Sequence, residues 1–476
     1  MVWRLNTGSF REIRVDGRRV LFHVPSAGLF ELDDLGGAVF DQFCRHGERA
    51  TEQLVDALSP GFAGDQVQEV LAELGAINLL QASGQTSARR PPPPVPAGAL
   101  STLVLNVTTG CNLACNYCYK ADLARPAEAV QLSTRDGRLA IDMLIAESGN
   151  RRRLNITFFG GEPLTALPLI GELIAYADQQ AGLAGKEVDY SLTTNALLLS
   201  DDVIDFLARH RFGITVSMDG PQTVHDLNRR TRTGKGTYQA VAANARRLLE
   251  RYRARPVGAR VTLTSGVRDV PGIHRHLKHD IGFAEVGFAP VTAGTPAGFC
   301  LDEAETQGVF ADFEALAVAW RDAAIEGRDI GFSNISQLLT VLHHGHSKLL
   351  PCGAGLNLLA VQADGGISLC HRFAGSGTGL FGHVSTGVDR GGIANFLDHA
   401  VKRAEDNCST CHARSVCAGG CYHESYARHG DMAQPTHHYC DLMRRWLDIG
   451  IAIYVELMAK NPTFMSQRLE PRGSMT

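Results

Sequence analysis

Between residues 103 and 289, short apolar runs alternate with longer segments whose apolar residues recur at helical spacing. Strands separated by helices pair in parallel through right-handed crossovers. Six such units predict an α/β fold, a partial (β/α)6 TIM-like barrel, with functional residues at the carboxyl ends of its strands. The candidate strands are 103–107, 154–159, 188–193, 213–218, 260–265 and 284–289.

Residues 1–82 precede the barrel as a unit with a different texture. Polar and apolar residues alternate around Ile13, Asp16-Gly17 favours a tight turn, and two further extended runs follow. Two segments of helical spacing come next, one around Val39 and one around Leu71. This order predicts a small α+β, winged-helix-like domain.

The domain boundaries follow from changes in composition. Segment 83–99 is rich in proline and predicts a linker, because it cannot pack as a helix or a central strand. We expect the barrel domain to span 100–335. After it the strand–helix rhythm stops and cysteines become frequent, which predicts a Cys-rich domain over 336–460 and a tail over 461–476.

Composition narrows the classes of function. The chain has 476 residues and a formal net charge of −4, without the clustered basic excess typical of nucleic-acid binding. No apolar stretch reaches the ~18–20 residues that a membrane-spanning helix needs, and the first residues lack a secretory pattern. We therefore expect a cytoplasmic protein without nucleic-acid or membrane partners. Disulfides persist poorly in a reducing cytosol, so the twelve cysteines indicate metal or cluster ligation.

The first cysteine motif is Cys111-x3-Cys115-x2-Cys118, directly after the first candidate barrel strand. Three thiolates on one loop can reach three corners of an iron–sulfur cubane and leave the fourth iron free. A structural zinc site normally uses two separated pairs of ligands instead. A zinc or disulfide loop remains the alternative.

With the aromatic Tyr117 before its last cysteine, this motif resembles the signature loop of the radical S-adenosylmethionine (SAM) superfamily. The resemblance implies that the free iron of a [4Fe–4S] cluster binds the amino and carboxylate groups of SAM. It also implies reductive cleavage of SAM to a 5′-deoxyadenosyl radical. That radical abstracts hydrogen from an unactivated carbon, which no protein side chain could do.

Three later segments, each at the end of a candidate strand, resemble SAM-binding motifs of the same superfamily. The resemblance implies that Glu162 meets the SAM amino group, and that Ser217 and Arg229 hold its carboxylate. Taken alone, the glycine pair before Glu162 could be a turn and Glu162 a solvated carboxylate. The candidate SAM-binding residues are Gly160, Gly161, Glu162, Pro163, Asn195, Ser217, Asp219 and Arg229.

Seven further cysteines occur in the C-terminal region, where Asp364-Gly365-Gly366 favours a tight turn before one of them. Their order resembles the SPASM extension of peptide-modifying radical SAM enzymes, which holds two auxiliary [4Fe–4S] clusters. A zinc-ribbon-like cap is the alternative, because Cys-x2-Cys pairs also suit zinc. These cysteines are Cys352, Cys370, Cys408, Cys411, Cys417, Cys421 and Cys440.

Counting ligands sharpens the resemblance. Three [4Fe–4S] clusters contain twelve irons, and SAM would occupy one of them, which leaves eleven that need a ligand. The motifs supply ten cysteines, so one iron lacks a ligand. The family arrangement implies that the distal cluster is complete, with Cys408, Cys411, Cys417 and Cys440. The proximal cluster would then have an open iron beside Cys352, Cys370 and Cys421. An open iron near the active site suits a substrate thiolate and favours thioether formation.

The remaining candidates carry less information, and no catalytic base is identified. Cys44 and Cys300 lie outside the motifs and are expected to be structural, as small buried hydrophobes; the alternative is that one of them supplies the missing cluster ligand. His371 and Arg372 stand where some relatives that oxidise cysteine or serine carry an aspartate, which weakens a sulfatase-maturation function. Polar loops, rather than a metal site, are expected for the paired and clustered histidines, His343, His344, His346, His437 and His438.

The element order of residues 1–82 resembles the peptide-recognition domains of enzymes that modify ribosomal peptides, which bind a leader as an added strand. A purely structural cap is the alternative. The resemblance implies a Cys-containing peptide or small protein substrate, and an electron donor such as a flavodoxin or ferredoxin.

Length and domain order are similar to those of the maturases that install Cys-to-Asp/Glu thioether cross-links in the small subunit of quinohemoprotein amine dehydrogenase. We therefore expect a thioether-forming radical SAM peptide maturase with three [4Fe–4S] clusters and SAM. Two alternatives stay open. One is carbon–carbon or carbon–oxygen cross-linking of a ribosomal peptide, and the other is a non-enzymatic Fe–S electron carrier or scaffold.

Overall fold

The structure, a computed structural model, describes residues 1–83, 100–119, 129–267, 269–292, 298–374, 377–436 and 438–468, without the side chains of 403–407. The predicted linker therefore lies outside the described residues, except for Ser83. The amide of Ser83 donates a hydrogen bond to the carbonyl of Val2 (2.7 Å) and so still belongs to the N-terminal unit. Among the described helices, none is both long and apolar enough to cross a membrane.

The N-terminal unit contains more strands than the sequence pattern predicts. Three of them have only three or four residues, too short for alternation to be visible in the sequence. The strands form two antiparallel sheets, β2-β3-β4 and β5-β1-β6. The elements are β1 (Val2–Leu5), β2 (Phe10–Val15), β3 (Arg18–His23), β4 (Gly28–Leu32), α1 (Asp34–His46), β5 (Glu48–Ala50), α2 (Thr51–Leu58), α3 (Gly64–Ala76) and β6 (Leu80–Ala82).

Strand β3 joins this unit to the rest of the molecule because both of its faces are buried. Leu21 packs with the helices of the N-terminal unit, whereas Val20 and Phe22 belong to the main core of the protein. Successive side chains of a strand point to opposite faces, which explains the division. Arg11 also forms an ion pair with Asp448 at 3.0 Å. The N-terminal unit therefore packs directly on the C-terminal region.

The central region forms six parallel strands with helices between them, and each predicted strand lies within two residues of an observed one. The elements are β7 (Thr102–Thr108), α4 (Thr134–Glu147), β8 (Arg153–Gly160), α5 (Leu167–Leu183), β9 (Glu187–Thr194), α6 (Asp201–Arg209), β10 (Gly213–Ser217), α7 (Gln222–Asn228), α8 (Tyr238–Arg251), β11 (Gly258–Leu263), α9 (Val270–Arg275), β12 (Glu285–Pro290) and α10 (Glu303–Ile325). A short 3₁₀ turn, Pro163–Ala166, follows β8, and a π-helical turn, His276–Ile281, extends α9.

The six strands lie in chain order from β12 to β7, all parallel, which confirms the predicted α/β class and partial barrel. Strand β8 shows why they fold this way. Leu154, Ile156 and Phe158 alternate with less buried residues and pack outward against the helices. The intervening residues face the barrel interior, where Thr157 hydrogen bonds to Ser191 of β9 at 2.9 Å.

The C-terminal region extends the same sheet. Its first strand pairs in parallel with β7, and the next three continue antiparallel, which gives a ten-stranded sheet. The elements are α11 (Ser333–His344), β13 (Leu358–Val361), β14 (Gly366–Ser368), a 3₁₀ turn (His371–Phe373), β15 (Leu380–His383), β16 (Gly387–Val388), α12 (Arg390–Cys408), α13 (Arg414–Cys417), α14 (Tyr422–His429), α15 (Cys440–Lys460) and α16 (Thr463–Arg468).

Two predicted boundaries need correction. Helix α11 crosses the boundary expected between residues 335 and 336, and it packs on both β12 and α15. The expected tail at 461–476 begins with α16, whose Phe464 and Met465 are buried in the main core. Apolar contacts thus join the barrel and the Cys-rich region into one body, and neither boundary marks a break in packing.

Candidate active site

A cavity of about 810 Å³ opens at the carboxyl ends of the barrel strands. Its first wall, here called the motif wall, comes from the ends of β7 to β10 and the loops after them. Its second wall, here called the arginine wall, comes from β11, β12 and the 3₁₀ turn His371–Phe373. The residues used below are, on the motif wall, Cys111, Cys115, Tyr117, Cys118, Glu162, Asn195, Ser217 and Arg229 and, on the arginine wall, Arg260, Thr262, Thr292, His371 and Arg372.

The glycine pair after β8 fixes the first cysteine loop against the barrel. A Cβ on Gly160 would lie 2.2 Å from the carbonyl oxygen of Thr108, and one on Gly161 would lie 1.9 Å from that of Gly110. Gly160 also has a φ of +147°, which L side chains rarely adopt. The close approach allows the amides of Gly161 and Glu162 to donate to those two carbonyls, each at 2.9 Å. The glycines therefore position the loop.

Glu162 is held as an almost saturated hydrogen-bond acceptor. Its Oε1 accepts from the amide of Leu164 (3.2 Å) and the hydroxyl of Thr194 (2.7 Å), and its Oε2 accepts from the amide of Asn195 (2.7 Å). Burial raises the pKa of Glu162, and these hydrogen bonds oppose that rise. A carboxylate offers about four acceptor positions, so one remains, on Oε2. An ammonium group in the cavity fits that position.

A second polar chain crosses the motif wall through Tyr117. Arg229 Nη1 donates to the phenol oxygen at 2.6 Å, and the phenol donates to Asp219 Oδ2 at 2.5 Å. The amide of Thr262 donates to the other carboxylate oxygen of Asp219 at 3.1 Å. Arg229 is 7% exposed, and its buried Nε has no hydrogen-bond partner in the structure. A buried donor without a partner fits an anionic ligand such as the SAM carboxylate.

The ten motif cysteines form three groups of neighbouring thiols, in which charge on one thiol raises the pKa of another. Burial raises the pKa of Cys115 to about 11 and that of Cys370 to about 12. Free thiols at these positions stay protonated at neutral pH unless a metal binds them. The groups are Cys111, Cys115 and Cys118; Cys352, Cys370 and Cys421; and Cys408, Cys411, Cys417 and Cys440.

All twelve cysteines are free thiols, so the disulfide alternative is wrong for this structure. Within the described ranges, no three His, Cys, Asp or Glu side chains are placed to bind one metal ion. In a [4Fe–4S] cluster each thiolate binds its own iron, and the three separate thiol groups fit this chemistry.

The arginine wall contains polar residues that lie outside the cysteine and SAM-binding motifs. Arg372 Nη2 donates to Thr292 at 2.6 Å, its Nη1 lies 3.9 Å from the thiol of Cys421, and its guanidinium stacks over Tyr119 at 5.3 Å. The ring of His371 lies 4.2 Å from that of Phe159. Arg260 and Thr262 project from β11 into the cavity on the same face, two residues apart.

Two of the proposed SAM-binding residues stand behind the cavity wall. Asp219 is buried and holds Tyr117 and the end of β11, and Pro163 begins the 3₁₀ turn that follows Glu162. Asn195 does line the cavity, and its side-chain amide donates to Asn112 Oδ1 at 2.7 Å. The structure therefore gives Asp219 and Pro163 supporting places.

The unassigned cysteines and histidines lie away from this cavity. Cys44 is exposed on α1, beside charged residues, so the expectation of a buried small hydrophobe is wrong for it. Cys300 is half-buried. His343 contacts the hydroxyl of Tyr454 at 3.1 Å in a helix, where a loop was expected. His438 contacts Glu424 at 3.2 Å, and the neighbouring position 437 lies outside the described residues.

Comparison with known proteins assigns this architecture. Residues 105–269 match the Radical SAM superfamily, and this stretch contains the first thiol group and every motif-wall residue named above. Residues 105–269 therefore form a radical SAM domain. Among relatives of this radical SAM protein, an uncharacterized protein of Archaeoglobus fulgidus is 27% identical over 73% of the chain and 80% of the relative. The cysteine-type anaerobic sulfatase-maturating enzyme of Clostridium perfringens is 23% identical, over 68% of the chain and 88% of that enzyme.

Solved structures show the same fold. Native anSMEcpe with bound AdoMet and Cp18Cys peptide superimposes with a TM-score of 0.61 at 18% identity, over 77% of this radical SAM chain and 98% of that one. SuiB of Streptococcus suis, bound to the precursor peptide SuiA, gives a TM-score of 0.50 at 13% identity, over 92% and 99% of the two chains. The likeness to SuiB extends over nearly the whole length of both proteins.

Proposed function

We propose that this protein is a radical SAM maturase that forms intrapeptidyl thioether bonds from Cys to Asp or Glu in a peptide or small protein. The proposed substrate is the small subunit of quinohemoprotein amine dehydrogenase. The observation that carries this proposal is the placement of three thiol groups in the fold, of which the middle group, Cys352, Cys370 and Cys421, has only three members. A substrate Cys is the residue type that suits the missing fourth place.

The cofactors proposed for the site are SAM and three [4Fe–4S] clusters, which when bound would supply the carbon-centred radical chemistry that side chains lack. The chain's own residues would bind SAM and orient it. Glu162 offers Oε2 to an ammonium group, and Arg229 offers its Nε to a carboxylate. Ser217 lines the cavity between them. Tyr117 and Asp219 hold the Arg229 guanidinium in place.

A peptide substrate is supported by what the similar proteins are. Several relatives are named as anaerobic sulfatase-maturating enzymes, of the cysteine and serine types. The superimposable structures include one with the Cp18Cys peptide and one with the precursor peptide SuiA. We extend peptide or protein modification to this chain on that basis.

The N-terminal unit is the proposed recognition site for a separate part of the substrate. Its small antiparallel sheets offer strand edges of the kind that bind an extended peptide by strand addition. The unit is fixed on the Cys-rich region by the Arg11–Asp448 ion pair and by a hydrogen bond from Arg414 to the carbonyl of Gly8 at 2.9 Å. A peptide bound there would be held at a constant place relative to the cavity.

Sulfatase-type oxidation is the second candidate, because several relatives are named as sulfatase-maturating enzymes. The residues beside Cys370 favour cross-linking instead. His371 and Arg372 occupy the turn that faces the cavity, and among the described lining residues the only carboxylate is Glu162, which already accepts three hydrogen bonds. The described part of the cavity therefore offers no free carboxylate base.

The experiment incubates the anaerobically reconstituted enzyme with SAM, a reductant such as flavodoxin or ferredoxin, and a candidate Cys-containing protein. Thioether formation removes one hydrogen from a carbon and one from the thiol. We expect 5′-deoxyadenosine release, a loss of two hydrogens per modified Cys, and thiols that resist alkylation. The same mass loss with thiols that are still alkylated would instead establish carbon–carbon or carbon–oxygen cross-linking. Conversion of a Cys to an aldehyde would establish sulfatase-type maturation.

A further inference from the structure

The arginine wall presents two guanidinium groups to one cavity. Arg260 projects from β11, with its Nη1 lying over Gly287 of the neighbouring strand, where a Cβ would come within 3.4 Å of it. Arg372 is fixed from the other side by its hydrogen bond to Thr292, just beyond the end of β12. Both side chains line the same cavity, and they lie close enough for the charge of Arg372 to act on Arg260.

Neither guanidinium has an acidic partner among the described residues. The polar contacts of Arg372 are Thr292 and the thiol of Cys421, and Arg260 has no side-chain hydrogen bond or ion pair in the described parts of the chain. Desolvation by the surrounding chain and then the charge of Arg372 lower the pKa of Arg260, whose side chain still reaches solvent in the cavity. Two close cations in a cavity repel each other unless an anion joins them. Arg372 faces the Cys421 thiol, whereas Arg260 has no anionic side chain beside it among the described residues, so a negatively charged ligand would complete the surroundings of Arg260.

The SAM carboxylate does not supply this charge in the proposed arrangement. Its place is on the motif wall, at Ser217 and the unpartnered Nε of Arg229. The arginine wall belongs to the part of the cavity that remains for substrate. Aromatic rings of Tyr119, Phe159 and His371 flank it and suit a short aliphatic side chain that ends in a charge.

We propose that Arg260 and Arg372 bind the side-chain carboxylate of the substrate residue that receives the new bond, and so select an Asp or Glu acceptor. This inference rests on the proposed function. Guanidinium groups bind carboxylates through paired, planar hydrogen bonds, which fix orientation as well as position. The carboxylate would hold its neighbouring methylene group at a constant place, between the two walls. Arg260 is thus a specificity-determining residue.

The test measures binding of two synthetic peptides that each carry one Cys and, four residues away, either Glu or Gln. Fluorescence anisotropy with the reconstituted holoenzyme and SAM gives both Kd values, and no reductant is needed. We expect the Glu peptide to bind about 10- to 100-fold more tightly than the Gln peptide, because hydrogen bonds between charged groups are lost in the amide. Arg260→Gln should reduce this ratio to within a few-fold of one, because only Arg372 then remains to bind the carboxylate.

Arg260→Lys keeps the charge but cannot donate the paired, planar hydrogen bonds of a guanidinium, so its ratio should lie between those of the wild type and Arg260→Gln. Arg253→Gln, an exposed arginine outside the cavity, is the matched control and should keep the full ratio. Equal binding of both peptides to the wild type, a ratio retained in Arg260→Gln, or failure of both peptides to bind at 1 mM would overturn the inference.

Two further measurements distinguish failure of the proposed function from failure of the carboxylate site. Reductant-dependent release of 5′-deoxyadenosine, measured in the same preparation, reports on the radical SAM activity, and mass spectrometry reports on peptide modification. If these are absent while the Glu-to-Gln ratio behaves as expected, the proposed function fails and the carboxylate site stands. If they are present while the ratio is one, the carboxylate site fails alone.

Discussion

The two walls of the cavity differ in how their charges are compensated. On the motif wall, Glu162 accepts three hydrogen bonds from the chain, and Arg229 reaches Asp219 through Tyr117. On the arginine wall, Arg260 and Arg372 face each other without a described carboxylate partner. The first wall is a preformed frame with single unfilled hydrogen-bonding positions, whereas the second has a guanidinium without a described anionic partner. Under the proposed function, cofactor binding and substrate selection would thereby be separated in space.

The largest effect is expected from the thiol group that anchors the motif wall. Cys115→Ala removes one of its three thiols, so the protein should lose about four irons per chain and release no detectable 5′-deoxyadenosine. Iron analysis and chromatography of the anaerobic reaction measure both quantities. Cys44→Ala, an exposed thiol on α1, is the control and should match the wild type. Normal SAM cleavage in Cys115→Ala would contradict the assignment of this thiol group.

Glu162→Gln is expected to have the next largest effect. The amide NH₂ of Gln cannot accept the hydrogen bonds that Glu162 takes from Asn195, or from Leu164 and Thr194, whichever side it occupies. We expect SAM binding to weaken at least about tenfold, and the free energy of unfolding to fall by about 1–3 kcal/mol. Calorimetry and denaturant titration measure these. The control is Glu187→Gln at the exposed start of β9, and an equal loss there would mean that the effect is not specific to the site.

Tyr117→Phe tests the bridge within the motif wall. It removes the hydroxyl that joins Arg229 to Asp219 and leaves a buried carboxylate oxygen without its donor. The expected decrease in unfolding free energy is about 1–2 kcal/mol. The ratio of the Kd values of the Gln and Glu peptides, which depends on the arginine wall, should stay unchanged. Tyr176→Phe removes an exposed hydroxyl on α5 that also bonds a carboxylate, and it should have little effect. A change in the peptide ratio with Tyr117→Phe would show that the two walls are coupled.

Low pH should lower the stability of the fold through protonation of His225, which lies behind the motif wall. Its Nδ1 accepts from the Asp219 amide at 3.4 Å, and its Nε2 contacts Thr237 at 3.1 Å. Burial and then Arg229 lower the pKa of His225 to about 3, with Asp226 opposing. Since the unfolded histidine titrates near 6.5, stability is fully present above pH 6.5 and is lost as the pH falls toward 3.

The expected loss from His225 is roughly 1 kcal/mol between pH 7.5 and pH 5.5, measured by denaturant unfolding at each pH. His225→Gln should reduce this pH dependence, whereas His46→Gln, an exposed histidine at the end of α1, should not. A steeper fall in His225→Gln than in the wild type would contradict the assignment.

The sequence predicted the motif wall far better than the arginine wall, for a physical reason. Cysteine spacing and the run Gly160 to Glu162 are local, because one loop and one strand end supply them. The partner of Arg229 could not be read in the same way, since Tyr117 lies 112 residues away and meets it only through the barrel. Arg260 belongs to no motif and is only the first residue of the candidate strand 260–265. Only the closure of the barrel turns its side chain inward.

The same distinction explains the errors in the fold. The six barrel strands were predicted within two residues, whereas β1, β5 and β6 were missed because, with three or four residues each, they are too short to show alternation. The boundary at 335/336 was placed where the cysteines begin to be frequent. Helix α11 packs against both β12 and α15, so the change in composition does not coincide with a break in packing. Composition therefore located the chemistry better than it located the domains.

Fragment-ion mass spectrometry of the product tests the central claim most directly, because it identifies the carbon that receives the substrate sulfur. The anaerobic enzyme is given SAM, reductant and a substrate with Cys, Asp, Glu, Gln and Ala at comparable distances. The account predicts a sulfur bonded to a side-chain carbon of Asp or Glu, with the linkage absent from the Gln and Ala positions. Linkage to a residue without a carboxylate, or a product that keeps its free thiol, would contradict it.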